Sequence, residues 1–200
     1  MKIYLMRHAQ TEDNLVKRFT GSNYRVGINK DGTKQIKTII PLLRKRGIKS
    51  IYSSPYRRCF ETASLIKKYL KVNLIVDTKL KEVNYGKWQG LTSSEAKEKY
   101  PKIYLHRGQN PASIPPPGGE TLLEMQKRVT QKINGIMRSK NNSLIVTHGS
   151  CIHAALMFYQ DIDLNKFWEF SQANKLQNCT LWEILITPNK TRIIKIDTNL

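Results

Sequence analysis

Lys2-Ile-Tyr-Leu-Met-Arg7-His8-Ala-Gln-Thr11-Glu-Asp-Asn14 runs a short apolar strand straight into an Arg-His pair, so an imidazole sits where a strand gives way to a loop. In open α/β folds ligands bind at the carboxyl ends of parallel strands, where the following loops and helix N-termini converge. The construction recurs twice. Ser143-Leu-Ile-Val-Thr-His148-Gly149 is a second buried-strand pattern ending in His, and Ser50-Ile-Tyr-Ser-Ser54-Pro55-Tyr-Arg57-Arg58 is a third that ends in a guanidinium pair. If these strands lie in one parallel sheet, Arg7, His8, Arg58 and His148 converge on a single cationic pocket.

Outward from these segments, the chain reads as strands near 2–8, 50–54, 73–77, 143–147, 179–187 and 191–197. Helices fall between them. Asn29 caps a helix from Lys30 to about Arg46 with Gly47 just past its end, and Ser54-Pro55 supplies a cap and a first-turn Pro for a helix to about Tyr69. Further helices are expected at about 93–100, 121–138, 149–159 and 164–170. Strands separated by helices imply βαβ units. The expectation is therefore an α/β protein, a three-layer α/β/α sandwich. It has a mostly parallel sheet of about six strands, helices on both faces, and a C-terminal hairpin turning at Pro188-Asn189-Lys190. The long irregular stretch 101–119, with Pro111, Pro115-Pro116-Pro117 and Gly118-Gly119, reads as a substrate-side flap starting at about residue 91.

At 200 residues with 40% hydrophobic content, one domain spanning 1–200 can bury a sizeable core without disulfides or metal. Three widely spaced cysteines, Cys59, Cys151 and Cys179, make no C-x-x-C and suggest reduced thiols in the cytoplasm. No signal-peptide core precedes Arg7, and no apolar run approaches the roughly 20 residues of a membrane span. A soluble cytoplasmic protein is expected, with a homodimer left open. The net charge of +19 would suit a nucleic-acid or anionic-membrane partner. No helix-turn-helix, zinc knuckle or aromatic-basic strand accompanies it. A non-catalytic anion- or nucleic-acid-binding protein is thus the most distant reading, and the charge reads as a Lys-rich surface that attracts small anions.

Five motifs then stand in order along the chain: Arg7-His8-x-x-Thr11-x-x-Asn14; Arg18-Phe-Thr20-Gly21; Ser54-x-x-x-Arg58-x-x-x-Thr62-Ala63; Leu80-x-Glu82-x-x-x-Gly86-x-Trp88-x-Gly90; and Val146-x-His148-Gly149. Together they resemble the histidine phosphatase, or phosphoglycerate mutase-like, superfamily. Ala9, Gln10, Cys59 and Asn29 depart from the usual residues, each beside a position expected to carry chemistry.

The resemblance implies that His8 attacks phosphorus and becomes a phosphohistidine. Neighbouring Arg7 and Arg58 would keep the imidazole neutral and nucleophilic, and with His148 would donate to the phosphoryl oxygens. Glu82 is the expected general acid. Asn14, Thr20, Gly21 and Gly149 are the expected substrate and phosphate contacts. Taken alone, His8 could be a satisfied strand-end histidine, Arg58 a helix-surface charge and Glu82 a partner of Lys79 or Lys81. The ordered motifs outweigh those readings. His153 reads as a packed or exposed helix residue and His106 as a flap residue. No H-E-x-x-H, Walker loop or G-x-G-x-x-G occurs, so no metal or cofactor is expected.

Within the family, a phosphatase admits water to the phosphohistidine, and a 2,3-bisphosphoglycerate-dependent phosphoglycerate mutase holds it dry. The short segment after Gly90 favours a metal-independent phosphomonoester phosphatase acting on a small phosphorylated substrate. The stretch Pro116-Pro117-Gly118-Gly119-Glu120-Thr121 resembles α-ribazole phosphatases and broad-specificity relatives. The mutase is the alternative.

Overall fold

The computed structural model describes residues 1–187, 190–196 and 198. At its centre is a six-stranded sheet in the order β3-β2-β4-β1-β5-β6. Here β1 is Ile3–Arg7, β2 Ser50–Ser53, β3 Asn73–Val76, β4 Ser143–Thr147, β5 Leu181–Thr187 and β6 Lys190–Ile196. The first four run parallel, β5 joins β1 antiparallel, and β6 pairs antiparallel with β5. The expected mostly parallel six-stranded sheet with its C-terminal hairpin is therefore present. The expected turn residues Pro188 and Asn189, and Asp197 at the end of the last expected strand, lie outside the described residues.

The apolar run of β1 reflects burial on both faces, as parallel central strands require. Tyr4 and Met6 join Leu144 and Val146 of β4 in one core, and Ile3 and Leu5 join Ile145 in the other. Each fully buried large apolar side chain contributes about 1.5–3 kcal/mol relative to exposure.

The helices in chain order are α1 (Glu12–Leu15), α2 (Lys30–Arg44), α3 (Arg57–Leu70), α4 (Ser93–Lys99), α5 (Pro101–Gln109), α6 (Leu122–Met137), α7 (Gly149–Tyr159) and α8 (Phe167–Ala173). Ile36, Ile39 and Leu43 of α2 and Ala63 and Ile66 of α3 close the first core. Val129 and Ile133 of α6 and Ile152 and Leu156 of α7 close the second. Asn29 caps α2 as expected, its Oδ1 accepting from Gly32 N at 2.8 Å, and Gly47 follows with φ +61°. Among the described residues no helix is long and apolar enough to cross a membrane.

Two local expectations are corrected. Ser54 and Pro55 do not start α3, whose cap is Tyr56. The Ser54 hydroxyl is instead engaged by Tyr56 N at 3.3 Å and by His148 Nε2 at 2.9 Å. The segment 101–119 is not irregular throughout. Pro101 opens α5, where its missing N–H costs nothing, and only the chain beyond Gln109 is non-helical.

Candidate active site

Parallel pairing sets Arg7 opposite Thr147 and Ser53 opposite Val146, so β1, β2 and β4 end side by side. The chain just past these ends stays tied together. His8 N donates to Thr147 O at 3.0 Å and Ser54 N to Val146 O at 3.1 Å. Motif residue Thr62 links α3 to the His8 loop, accepting from Ala9 N at 3.1 Å and donating to Arg58 O at 2.6 Å.

The strand ends open into a cavity of about 600 Å³ whose lining includes Arg7, His8, Asn14, Thr20, Gly21, Arg58, Glu82 and Gly149. The His8 ring is only 4% exposed, and its Nδ1 lies 2.8 Å from Ala9 O. A carbonyl can only accept, so Nδ1 carries the proton and Nε2 presents a lone pair. Burial, then Arg58 and Arg7, hold the imidazole well below the usual histidine range.

Arg7 donates from Nη1 to Leu176 O at 2.6 Å, and its Nε is buried with no partner among the described residues. A buried donor left open beside the nucleophile suits an anion oxygen. Arg58 is fixed by Asn23 O at 2.9 Å and Gly21 O at 2.8 Å. Gly21 adopts φ +47°, and a Cβ there would crowd the Tyr85 ring at 3.0 Å. Asn14 Oδ1 accepts from Thr11 N at 3.1 Å and Asn178 Nδ2 at 2.9 Å, which leaves its own amide N–H₂ to donate.

His148 is placed differently from the other expected site residues. It is fully buried and is not part of the cavity lining. Its Nδ1 accepts from Arg58 Nε at 3.2 Å, and its Nε2 donates to Ser54 Oγ at 2.9 Å. In this arrangement it orients Arg58 and makes no direct donation into the cavity. Burial and then Arg58 lower its pKa well below the usual value. The expected cationic pocket is thus two guanidiniums and two neutral imidazoles. Cys59, a departure from the family pattern, packs its Sγ 3.5 Å from His148 Nε2. Burial pushes that thiol up to about 12, so it stays uncharged.

Glu82 makes no ion pair with Lys79 or Lys81. Its Oε1 accepts from Val83 N at 2.9 Å, and burial raises its carboxyl above the usual range against Arg58, Arg128 and Arg7. It also borders a second cavity of about 720 Å³.

The Pro-rich segment does not cover the catalytic cavity. No residue from 91 to 119 lines it. Pro117 O accepts from Lys87 N at 2.9 Å and Glu120 N donates to Asn84 O at 2.8 Å, so this segment braces the loop after Glu82. His106 is exposed on α5, away from the cavity lining. His153 does line it, its Nε2 donating to Asn174 O at 2.9 Å.

Three functional features escaped sequence reasoning. Asn178 bridges the His8 carbonyl and Asn14, each at 2.9 Å. Arg128 of α6 donates to Lys79 O, Lys81 O and Glu82 O at 2.8, 2.6 and 3.1 Å while pairing with Glu120. The cavity wall contributed by Phe167, Ser171, Lys175, Leu176 and Gln177 carries no motif. Among the described residues no cluster of three or more His, Cys, Asp or Glu is placed to hold a metal ion.

Comparison with known proteins places this geometry. A profile of the histidine phosphatase superfamily (branch 1) matches residues 3–199. Phosphoserine phosphatase 1 of Hydrogenobacter thermophilus is 30% identical, over 87% of this chain and 83% of its own. A 2,3-bisphosphoglycerate-dependent phosphoglycerate mutase of Cytophaga hutchinsonii is 31% identical, over 80% of this chain and 78% of its own. The α-ribazole phosphatase of Shigella flexneri shares the fold with a TM-score of 0.85 at 18% identity, covering 98% of this chain and 96% of its own.

Proposed function

The chain belongs to the histidine phosphatase superfamily and is a phosphoric monoester hydrolase, and on that premise we propose that it acts without a metal, through a phosphohistidine on His8, on small phosphomonoesters. The observation that carries this reading is the His8 ring itself, a cavity-lining residue whose Nδ1 proton is committed to Ala9 O, which leaves Nε2 unprotonated.

In the first step Nε2 forms a bond to phosphorus as the ester P–O bond breaks. Arg7 and Arg58 hold the transferring group's oxygens, supplying the charge that a divalent ion gives elsewhere. Glu82, whose carboxyl burial raises above the usual range, gives its proton to the departing alkoxide. The resulting carboxylate then takes a proton from water, which attacks phosphorus and returns His8 to its neutral form.

The same first step would serve a mutase, and the identities to the phosphoserine phosphatase and the mutase are nearly equal. What favours water as the acceptor is that no residue from 91 to 119 lines the phosphoryl cavity, the segment reaching only the smaller space beside it through Ser93, Tyr104, Arg107 and Gly108. Three buried free thiols support a reducing, cytoplasmic setting. An α-ribazole-phosphatase-like substrate rests on the Pro-Pro-Gly-Gly-Glu-Thr stretch alone. The test is a screen of phosphomonoesters for phosphate release in excess chelator, run beside a 3-phosphoglycerate to 2-phosphoglycerate assay with and without 2,3-bisphosphoglycerate. Chelator-resistant hydrolysis exceeding isomerisation by orders of magnitude is expected. Activity that needs an added divalent ion would overturn the metal-free mechanism, and efficient bisphosphate-dependent isomerisation would overturn water as the acceptor.

A further inference from the structure

Beside the catalytic cavity lies a smaller one of about 350 Å³, walled by Phe19, Trp88, Tyr104 and Trp168 together with Arg107. Phe19 and Trp168 line both cavities, so the two adjoin. Arg107 is 1% exposed, and its guanidinium carbon lies 5.9 Å from the Trp88 ring centre and 5.7 Å from that of Trp168. One end is anchored, with Nη1 donating to Ile114 O at 2.6 Å. Nε and Nη2 are buried and have no partner among the described residues.

Those two nitrogens form the side edge of the guanidinium, the fork that grips two oxygens of a planar anion. The same edge of Arg128 does this within the protein, its Nε and Nη2 meeting Glu120 Oε1 and Oε2 at 2.7 and 2.8 Å. At Arg107 the same edge is buried and has no partner among the described residues. Unpaired buried donors are costly to a fold, and aromatic walls favour a flat or apolar ligand body.

We propose that Arg107 and the surrounding aromatic rings form a carboxylate-binding subsite for the leaving-group end of the substrate. The substrate class is then a phosphomonoester whose alcohol part is flat or apolar and carries a carboxylate. This assignment rests on the phosphatase reading of the adjoining cavity.

The probes are phenyl phosphate and its para-carboxylated analogues with zero, one or two methylenes before the carboxylate. Native enzyme should favour at least one carboxylated ester by about tenfold in kcat/KM. That ratio should fall to near one in Arg107→Met, whose side chain keeps the stacking volume, and Arg107→Lys should lie between because it keeps charge but loses the fork. No preference in the native enzyme, or an equal preference in Arg107→Met, overturns the proposal. Tryptophan fluorescence during titration with phenylacetate separates the two claims. If no ester is hydrolysed, the phosphatase reading fails, and the subsite stands only if saturable quenching occurs in the native protein and is lost in Arg107→Met. Quenching that is absent, or equal in both, overturns it. Phenylacetate binding without any preference among esters would assign the site to a free acid and overturn its role in substrate choice.

Discussion

Nε of Arg58 donates to Nδ1 of His148 across 3.2 Å, a contact that exists only while that ring nitrogen is unprotonated. The other ring nitrogen is spent on Ser54, so the cavity-lining guanidinium of Arg58 is held by a neutral histidine that does not itself line the cavity. His8 lies close by, the two ring centres 5.5 Å apart. Protonating either ring would set a new positive charge beside Arg58 in a buried site, which is why both resist it.

Stability should therefore depend on pH with a definite sign. Both histidines have lower pKa values folded than unfolded, so their contribution is complete above the unfolded value of about 6.5 and is lost as pH falls below it. Glu82 acts oppositely: its raised carboxyl favours the fold most below about 4.5, and that contribution is lost as pH rises through the folded value. Thermal melting from pH 7.5 to 5.5 should show falling stability. His148→Asn should flatten that slope, and an unchanged slope would mean other groups set it.

Replacing His8 by Ala should abolish turnover without unfolding the protein, because among the described residues the ring's one hydrogen bond is to the adjacent Ala9. Rapid quench with labelled substrate should trap a phosphoenzyme that is labile in acid and stable in base, and the variant should trap none. Substantial residual turnover in a verified preparation would rule out the covalent route.

Glu82→Gln should slow esters of poorly acidic alcohols by about 10² to 10⁴ while affecting p-nitrophenyl phosphate far less, since that phenolate leaves without a proton. In the native enzyme kcat/KM for the poor leaving groups should decline as pH rises through the raised Glu82 value. That limb should vanish in Glu82→Gln. Equal losses for both kinds of ester would remove Glu82 from the acid role.

The strand ends and the meeting of Arg7, His8, Arg58 and His148 are legible because each lies at or just past a locally written strand. Ile3 to Arg7 and Ser143 to Thr147 are apolar runs that only a buried parallel strand satisfies, and the residues that follow them fall at the site by geometry alone. Segment 101–119 misled because its prolines drew attention away from Lys102 to Gln109, where Pro101 is a helix opener rather than a breaker. Ser54 misled for another reason: a hydroxyl suited to capping was claimed by His148, more than ninety residues away. The α8 wall, Asn178 and Arg128 depend on tertiary contacts between distant segments, and no spacing in the chain records those.

Arg128 gives the sharpest test of how the acid is held in place. Its guanidinium gathers the carbonyls of Lys79, Lys81 and Glu82 and is itself gripped by Glu120, with a side chain 22% exposed. Glu120 in turn ties the Pro-Gly segment to Asn84 through its backbone N–H. Removing the guanidinium leaves three carbonyls and a carboxylate without their donor, so Arg128→Met should cost about 1–3 kcal/mol of stability and lower the melting temperature. A merely structural role would stop there. Because Arg128 does not itself line the phosphoryl cavity and bonds there only to the lining residue Glu82, its catalytic effect must pass through the position of Glu82. The variant should therefore lose kcat on esters of poor leaving groups while p-nitrophenyl phosphate hydrolysis and its KM change little. Glu120→Gln, which keeps one acceptor oxygen, should show the same pattern more weakly. Loss of stability with leaving-group selectivity intact would reduce the clasp to a structural brace.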